Sequence, residues 1–94
     1  MNTEEGLKQF VEQMKLKLDT NQKKKGDSWV TCDVKFLEEK LRGEITEYYE
    51  EEGSMKSAQE LVDIANVCMM LYHRHFDIWA KQAGEKLFAG KKTR

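Results

Sequence analysis

The sequence predicts an all-α fold: an antiparallel helical bundle of three to four helices per chain, completed by oligomerisation. Three observations predict it. None of the 94 residues is proline. Glu, Lys, Leu and Met, all good helix formers, are abundant. Apolar residues recur at spacings of three and four, and no strand-like alternation of useful length occurs. The length allows one domain, 1–94, with a frayed tail at about 90–94. A chain this short buries only about two-thirds of its unfolded surface, so a second copy is expected to complete a thin core.

Each element follows from local signals. Leu7, Phe10, Val11, Met14 and Leu18 form one stripe, which predicts a first helix from about Thr3 to Leu18 with Thr3 as its cap. Residues 19–28 contain turn formers, a lysine run and no apolar side chain, which predicts a loop ending at Trp29. Asp33 is placed to cap a second helix carrying Val34, Leu37, Leu41, Ile45 and Tyr48, and Gly53 fits its C-terminal stop. Ser54 or Ser57 is expected to cap a third helix. Eleven of the fifteen residues from Ala58 to Tyr72 are apolar, so this helix is expected to be buried on most sides. It emerges at His73-Arg74-His75. A last amphipathic piece, with Phe76, Ile78, Trp79, Leu87 and Phe88, runs to Gly90.

Composition excludes several classes. The formal net charge is −1, which argues against binding a nucleic-acid polymer. The longest apolar run, Val67 to Tyr72, is six residues, far short of the roughly 20 that span a membrane. The acidic N-terminus is unlike a secretory signal. Cys32 and Cys68 make no CxxC, so the expected setting is a reducing cytoplasm, with Cys68 a small core residue.

The chemical signal is Glu44-x-x-Glu47 followed, after twelve residues, by Glu60-x-x-Asp63. Residues three apart on a helix lie about 60° apart and share a face. Two antiparallel helices can therefore bring four carboxylates together, a donor set for a hard cation such as Mg²⁺. Composition alone gives roughly three such acid pairs, and 44/47, 47/50 and 60/63 are what the sequence has. The second pair stands out because Gln59, Glu60, Asp63 and Asn66 form the polar arc of a helix otherwise apolar from Ala58 to Tyr72. Carboxylates there need a counter-charge: a metal, or an ion pair with Lys40, Arg42 or Arg74. His73 and His75 lie two apart, and neither H-E-x-x-H nor E-x-x-H occurs, which argues against zinc and di-iron sites.

With Gly43-Glu44-Ile45-Thr46-Glu47, the twelve-residue interval and Glu60-Leu61-Val62-Asp63, the chain resembles the MazG-like all-α nucleoside triphosphate pyrophosphohydrolases, to which dCTP pyrophosphatase and dimeric dUTPase are related. Their signature is E-E-x-x-E, then twelve to about thirty residues, then E-x-x-D. Gly43 stands where the family often has a further acid. Phe10, Met14, Leu18, Asn21, Lys25, Gly26, Trp29 and Asn66 extend the likeness over about residues 7–75. The resemblance implies Mg²⁺-dependent conversion of a nucleoside triphosphate to the monophosphate and pyrophosphate, with Mn²⁺ as a substitute, by a homodimer or homotetramer. Carried over by position, Glu44, Glu47, Glu60 and Asp63 would hold the metal, and Glu44 or Glu47 would act as base. Trp29 would stack on the nucleobase, with Asn21, Lys25 and Asn66 also contacting substrate. The residues alone leave a blander reading open: a non-catalytic helical module in which the acids are ion-paired and Trp29 only anchors its loop. Trp79 is expected in the core or a subunit interface.

Overall fold

The computed structural model describes residues 1–51, 53 and 55–90, and the side chains of all of these except 22–25 and 85–90. The described residues form three α-helices and a 3-10 turn: α1 (Thr3–Lys25), the turn (Ser28–Val30), α2 (Val34–Glu50) and α3 (Met55–Gly90). None of the helices is long and apolar enough to cross a membrane.

The caps explain the starts. Asn2, rather than Thr3, caps α1: its Oδ1 accepts from the Glu5 N–H at 2.8 Å, and Thr3 is the first helical residue. Asp33 caps α2 as expected, accepting from the Lys35 N–H at 3.0 Å with its own backbone extended. Ser54 lies outside the described residues. Ser57 sits inside α3, where its hydroxyl donates to the Glu51 carbonyl at 2.7 Å and ties the helix to the end of α2. Gly26 and Gly53 adopt φ of +60° and +55°, a left-handed conformation open to glycine at little cost. They turn the chain after α1 and between α2 and α3.

Two boundaries differ from the sequence pattern. Residues 19–25, expected as loop, continue α1. They contain neither glycine nor proline, and the Thr20 hydroxyl donates to the Leu16 carbonyl at 3.0 Å within the helix. A solvated stretch needs no apolar stripe to remain helical once nucleated. Likewise α3 runs unbroken for 36 residues. The His73-Arg74-His75 segment holds no breaker, and Gly84 costs only about 1 kcal/mol in a helix. The described residues therefore form three α-helices, within the three to four expected.

Packing runs through α3, which contacts α2, α1 and the turn. Leu37 of α2 meets Val67 and Leu71 of α3, while Glu44 and Glu47 meet Glu60. Numbers fall along α2 as they rise along α3, so these helices are antiparallel. Leu37, Val67 and Leu71 form the core, with Trp29, Cys32, Val34, Leu41 and Met70 packed on it. Val62 and Asn66 are the other buried residues among those described.

That core is thin. The radius of gyration is 17.3 Å, against about 12 Å for a compact domain of this length. The long axis, 59 Å, follows from α3, for which 36 residues span roughly 54 Å. Burial on α3 is one-sided. Leu61, Cys68, Tyr72, Phe76, Ile78 and Trp79 are exposed. Cys68 is thus not a core residue, and Trp79, at 62% exposure, belongs to no core within one chain. Tyr72 stacks on Phe76 at 5.9 Å, and Phe76 leans on Trp79 at 5.6 Å.

Because Leu37 joins α2 to α3 at 2% exposure, Leu37→Ala should cost about 2–5 kcal/mol, read as a lowered midpoint in urea unfolding. Tyr49→Ala, at an exposed position, should change the midpoint little.

Candidate functional site: an acidic cluster beside two cavities

The antiparallel pairing of α2 with α3 brings the two acidic motifs face to face. One carboxylate oxygen each of Glu44, Glu47 and Glu60 lies within 4.8 Å of the others. Glu44 and Glu60 are half-buried and Glu47 is exposed. Asp63, one turn beyond Glu60, is outside this closest group and faces α1 instead, where Lys17 Nζ stands 3.4 Å from its Oδ1. Asp63 still acts on the cluster electrostatically, raising the carboxyls of both Glu44 and Glu47.

The cluster is short of positive charge. Glu44 is pushed up from its ordinary 4.5 to about 7, first by burial, then by the adjoining Glu60 carboxyl, then by the charges of Asp63, Glu47 and Glu60. Glu47 is also raised, chiefly by the charge of Glu60. Lys40, Arg42 and Arg74, the expected counter-charges, do not serve. Among the described residues the one ion pair is Lys17–Asp63, and Arg74 is engaged elsewhere. Sequence reasoning missed Lys17. The spacing of Met14, Lys17, Leu18 and Asn21 puts it on one face of α1, but nothing in the sequence names its partner.

Two buried polar atoms have no hydrogen-bond partner among the described groups, Glu60 Oε2 and Asn66 Oδ1. Asn66 is 4% exposed, and its Nδ2 donates to the Met14 carbonyl at 3.2 Å. Asn66 also lines a cavity of about 210 Å³ together with Glu44, Asp63, Lys17, Lys40 and Asn21. A buried amide oxygen left unpaired costs about 1–3 kcal/mol, so its presence beside under-neutralised carboxylates points to a ligand. Oxygen donors of this kind suit a hard divalent cation. The residues therefore fit Mg²⁺ or Mn²⁺ held by Glu44, Glu47 and Glu60.

A second cavity, about 460 Å³, adjoins the first and is largely apolar. Its walls include Trp29, Phe36, Leu37, Met69 and Met70, with Asn21 and Lys40 at its polar side. Trp29 sits on the 3-10 turn, half-buried, with one part packed on the core cluster. It anchors the turn and also walls the cavity. The turn is clamped from α3: Arg74 Nη1 donates to the Trp29 carbonyl at 2.9 Å and to the Cys32 carbonyl at 2.6 Å. Cys32 adds a weak thiol bond to the Trp29 carbonyl at 3.7 Å. Of the other expected contacts, Asn21 lines both cavities, and the side chain of Lys25 lies outside the described residues.

Two outcomes follow. Between pH 4.5 and about 7 the folded chain keeps a proton on Glu44 that the unfolded chain has lost. The stability this contributes is complete below 4.5 and lost as pH rises through 7. The metal-free protein should therefore melt lower at pH 8 than at pH 5, and Glu44→Gln should flatten that dependence. Arg74→Ala should loosen the Trp29 turn, read as a red-shifted tryptophan emission in a Trp79→Phe background. Comparison with protein-family models, with curated proteins and with solved structures returned no match.

Proposed function

We propose that the chain is a Mg²⁺-dependent nucleoside triphosphate pyrophosphohydrolase, converting a nucleoside or deoxynucleoside triphosphate to the monophosphate and pyrophosphate in the cytoplasm. The observation that carries the reading is the convergence of Glu44, Glu47 and Glu60 from two helices within 4.8 Å. The unpaired Asn66 oxygen and the Trp29-walled cavity alongside support it. The acidic motifs have the spacing of the MazG-like family that the sequence resembles.

In this reading Glu44, Glu47 and Glu60 hold the metal, and Asp63 turns from Lys17 to join them. Bound there, Mg²⁺ supplies charge neutralisation for the triphosphate, polarisation of a phosphoryl oxygen and a more acidic bound water. Glu44 or Glu47 acts as the general base through an oxygen that the metal does not engage, Glu47 being the exposed one of the two. Asn66 offers its free oxygen to the ligand shell or substrate. Trp29 stacks on the nucleobase, a contact that needs only the base's π-face. Asn21 reaches substrate between the two cavities, and Lys25 is the further substrate contact that the resemblance implies.

A homodimer or homotetramer belongs to the same reading. The chain exposes 7737 Å², against roughly 5,700 Å² for a compact monomer of this size, and an apolar face of α3 is uncovered.

The Lys17–Asp63 ion pair favours a second reading, a non-catalytic helical module with neutralised acids. One experiment separates the two. Pyrophosphate release is assayed over a panel of nucleoside triphosphates with Mg²⁺. At least one should be hydrolysed, Mn²⁺ should substitute, and EDTA should abolish turnover. Glu60→Gln and Asp63→Asn should each lower kcat at least about 100-fold with the helical circular dichroism kept. Full activity in the Asp63 variant contradicts the assignment. An inert panel, with no melting shift from Mg²⁺, supports the module.

A further inference from the structure

The acidic cavity and the apolar cavity share a wall. Leu18, Asn21, Lys40 and Met70 line both. One end of the combined space carries Glu44, Asp63 and Asn66, and the other carries Trp29 and Phe36. Such a space fits a molecule with a flat apolar end and a highly charged end.

The charged end meets a problem of sign. A phosphate entering beside Glu44 and Asp63 is repelled, and any bound divalent ion is shared among several carboxylates. A cation from the chain itself is needed. Lys17 is already committed to Asp63 at 3.4 Å. Lys15 is exposed and lines only the larger cavity. Lys40 lines both, is half-buried, and makes no ion pair or side-chain hydrogen bond among the described residues. Glu44, one turn further along α2, does not come within ion-pairing distance of it. With its stem half-buried in the shared wall and no acceptor among the described side chains, Lys40 has its ammonium available to an anion in either cavity.

We propose that the two cavities form one site and that Lys40, at their seam, meets the phosphate of a nucleotide whose base lies against Trp29. The inference rests on the reading of a nucleotide substrate and adds the residue that separates nucleotide from nucleoside. Lys40 is a binding residue: it recognises the anion next to the sugar, where the apolar cavity opens into the acidic one. An ammonium–phosphate contact made away from bulk water adds about ten- to hundredfold in affinity.

The test uses the full chain with Trp79→Phe, which leaves Trp29 as the sole tryptophan. Its fluorescence is titrated with the four common nucleosides and their 5′-monophosphates, with and without Mg²⁺. Wild-type Lys40 should favour a monophosphate over its nucleoside. Lys40→Met should remove about ten- to hundredfold of that preference and leave nucleoside binding unchanged. Lys40→Arg should restore most of it. The melting shift produced by Mg²⁺ alone should persist in Lys40→Met, which shows that the variant is folded and its acids intact. Equal weakening of nucleoside and monophosphate, or a preference untouched by Lys40→Met, overturns the proposal. Pyrophosphate release that survives alongside either result leaves the hydrolase reading standing. Lys40-dependent monophosphate binding without turnover upholds the binding site and removes the hydrolase.

Discussion

The structure depends on one unfavourable arrangement: like charges held together by apolar packing. Leu37 against Val67 and Leu71 sets the register of α2 on α3. That register leaves Glu44 and Glu47 no way to avoid Glu60. Among the described residues the one ammonium that pairs with these acids is Lys17, and it goes to Asp63. Burial first, and then the surrounding carboxylates, raise Glu44 to about 7, and the proton it holds below that pH eases the repulsion. Replacing one proton by one divalent cation removes the same repulsion more fully. An acidic cluster on a solvated face would have spread its side chains into water. Here the backbones are pinned, and Glu60 Oε2 and Asn66 Oδ1 are buried without partners.

The same helix ties the remaining parts of the site to this cluster. α3 carries Glu60, Asp63 and Asn66 toward α2 and α1, Val67 and Leu71 into the core, and Arg74 under the Trp29 turn. Successive turns of one helix thus present the acids, the packing surface and the clamp. The distance between the acidic cluster and the aromatic wall is set by helical rise rather than by a loop. That rigidity suits a site that must hold both ends of one ligand. The thin core and the uncovered aromatic row of Tyr72, Phe76 and Trp79 give α3 a second face with apolar surface to bury.

Much of this was legible in the sequence, and what was not has physical reasons. Periodicity identified the helices, and Asp33 marked the start of α2, because both are properties of neighbouring residues. The acid pairs were visible at i, i+3 spacing, and their meeting followed from the antiparallel pairing. The end of α1 was misjudged because residues 19–25 lack an apolar stripe, and a stripe reports burial rather than helicity. The break expected after Tyr72 was absent because polarity at His73-Arg74-His75 marks exposure and does not interrupt backbone hydrogen bonds. Lys17 and Arg74 were invisible as partners for another reason. Each acts on residues about 45 positions away, Asp63 for the first and Trp29 for the second, and only packing brings those together. Cys68 looked like core because α3 is apolar on a face that one chain leaves open.

The convergence of acids on a divalent ion is tested most directly by calorimetric titration with Mg²⁺ or Mn²⁺ at several pH values, in buffers of differing ionisation enthalpy. The account predicts saturable binding with up to about one proton released near pH 6, falling toward none by pH 9, and loss of both signals in Glu60→Gln. Absence of binding in the folded protein, or binding with no proton release near neutral pH and no dependence on Glu60, would contradict it.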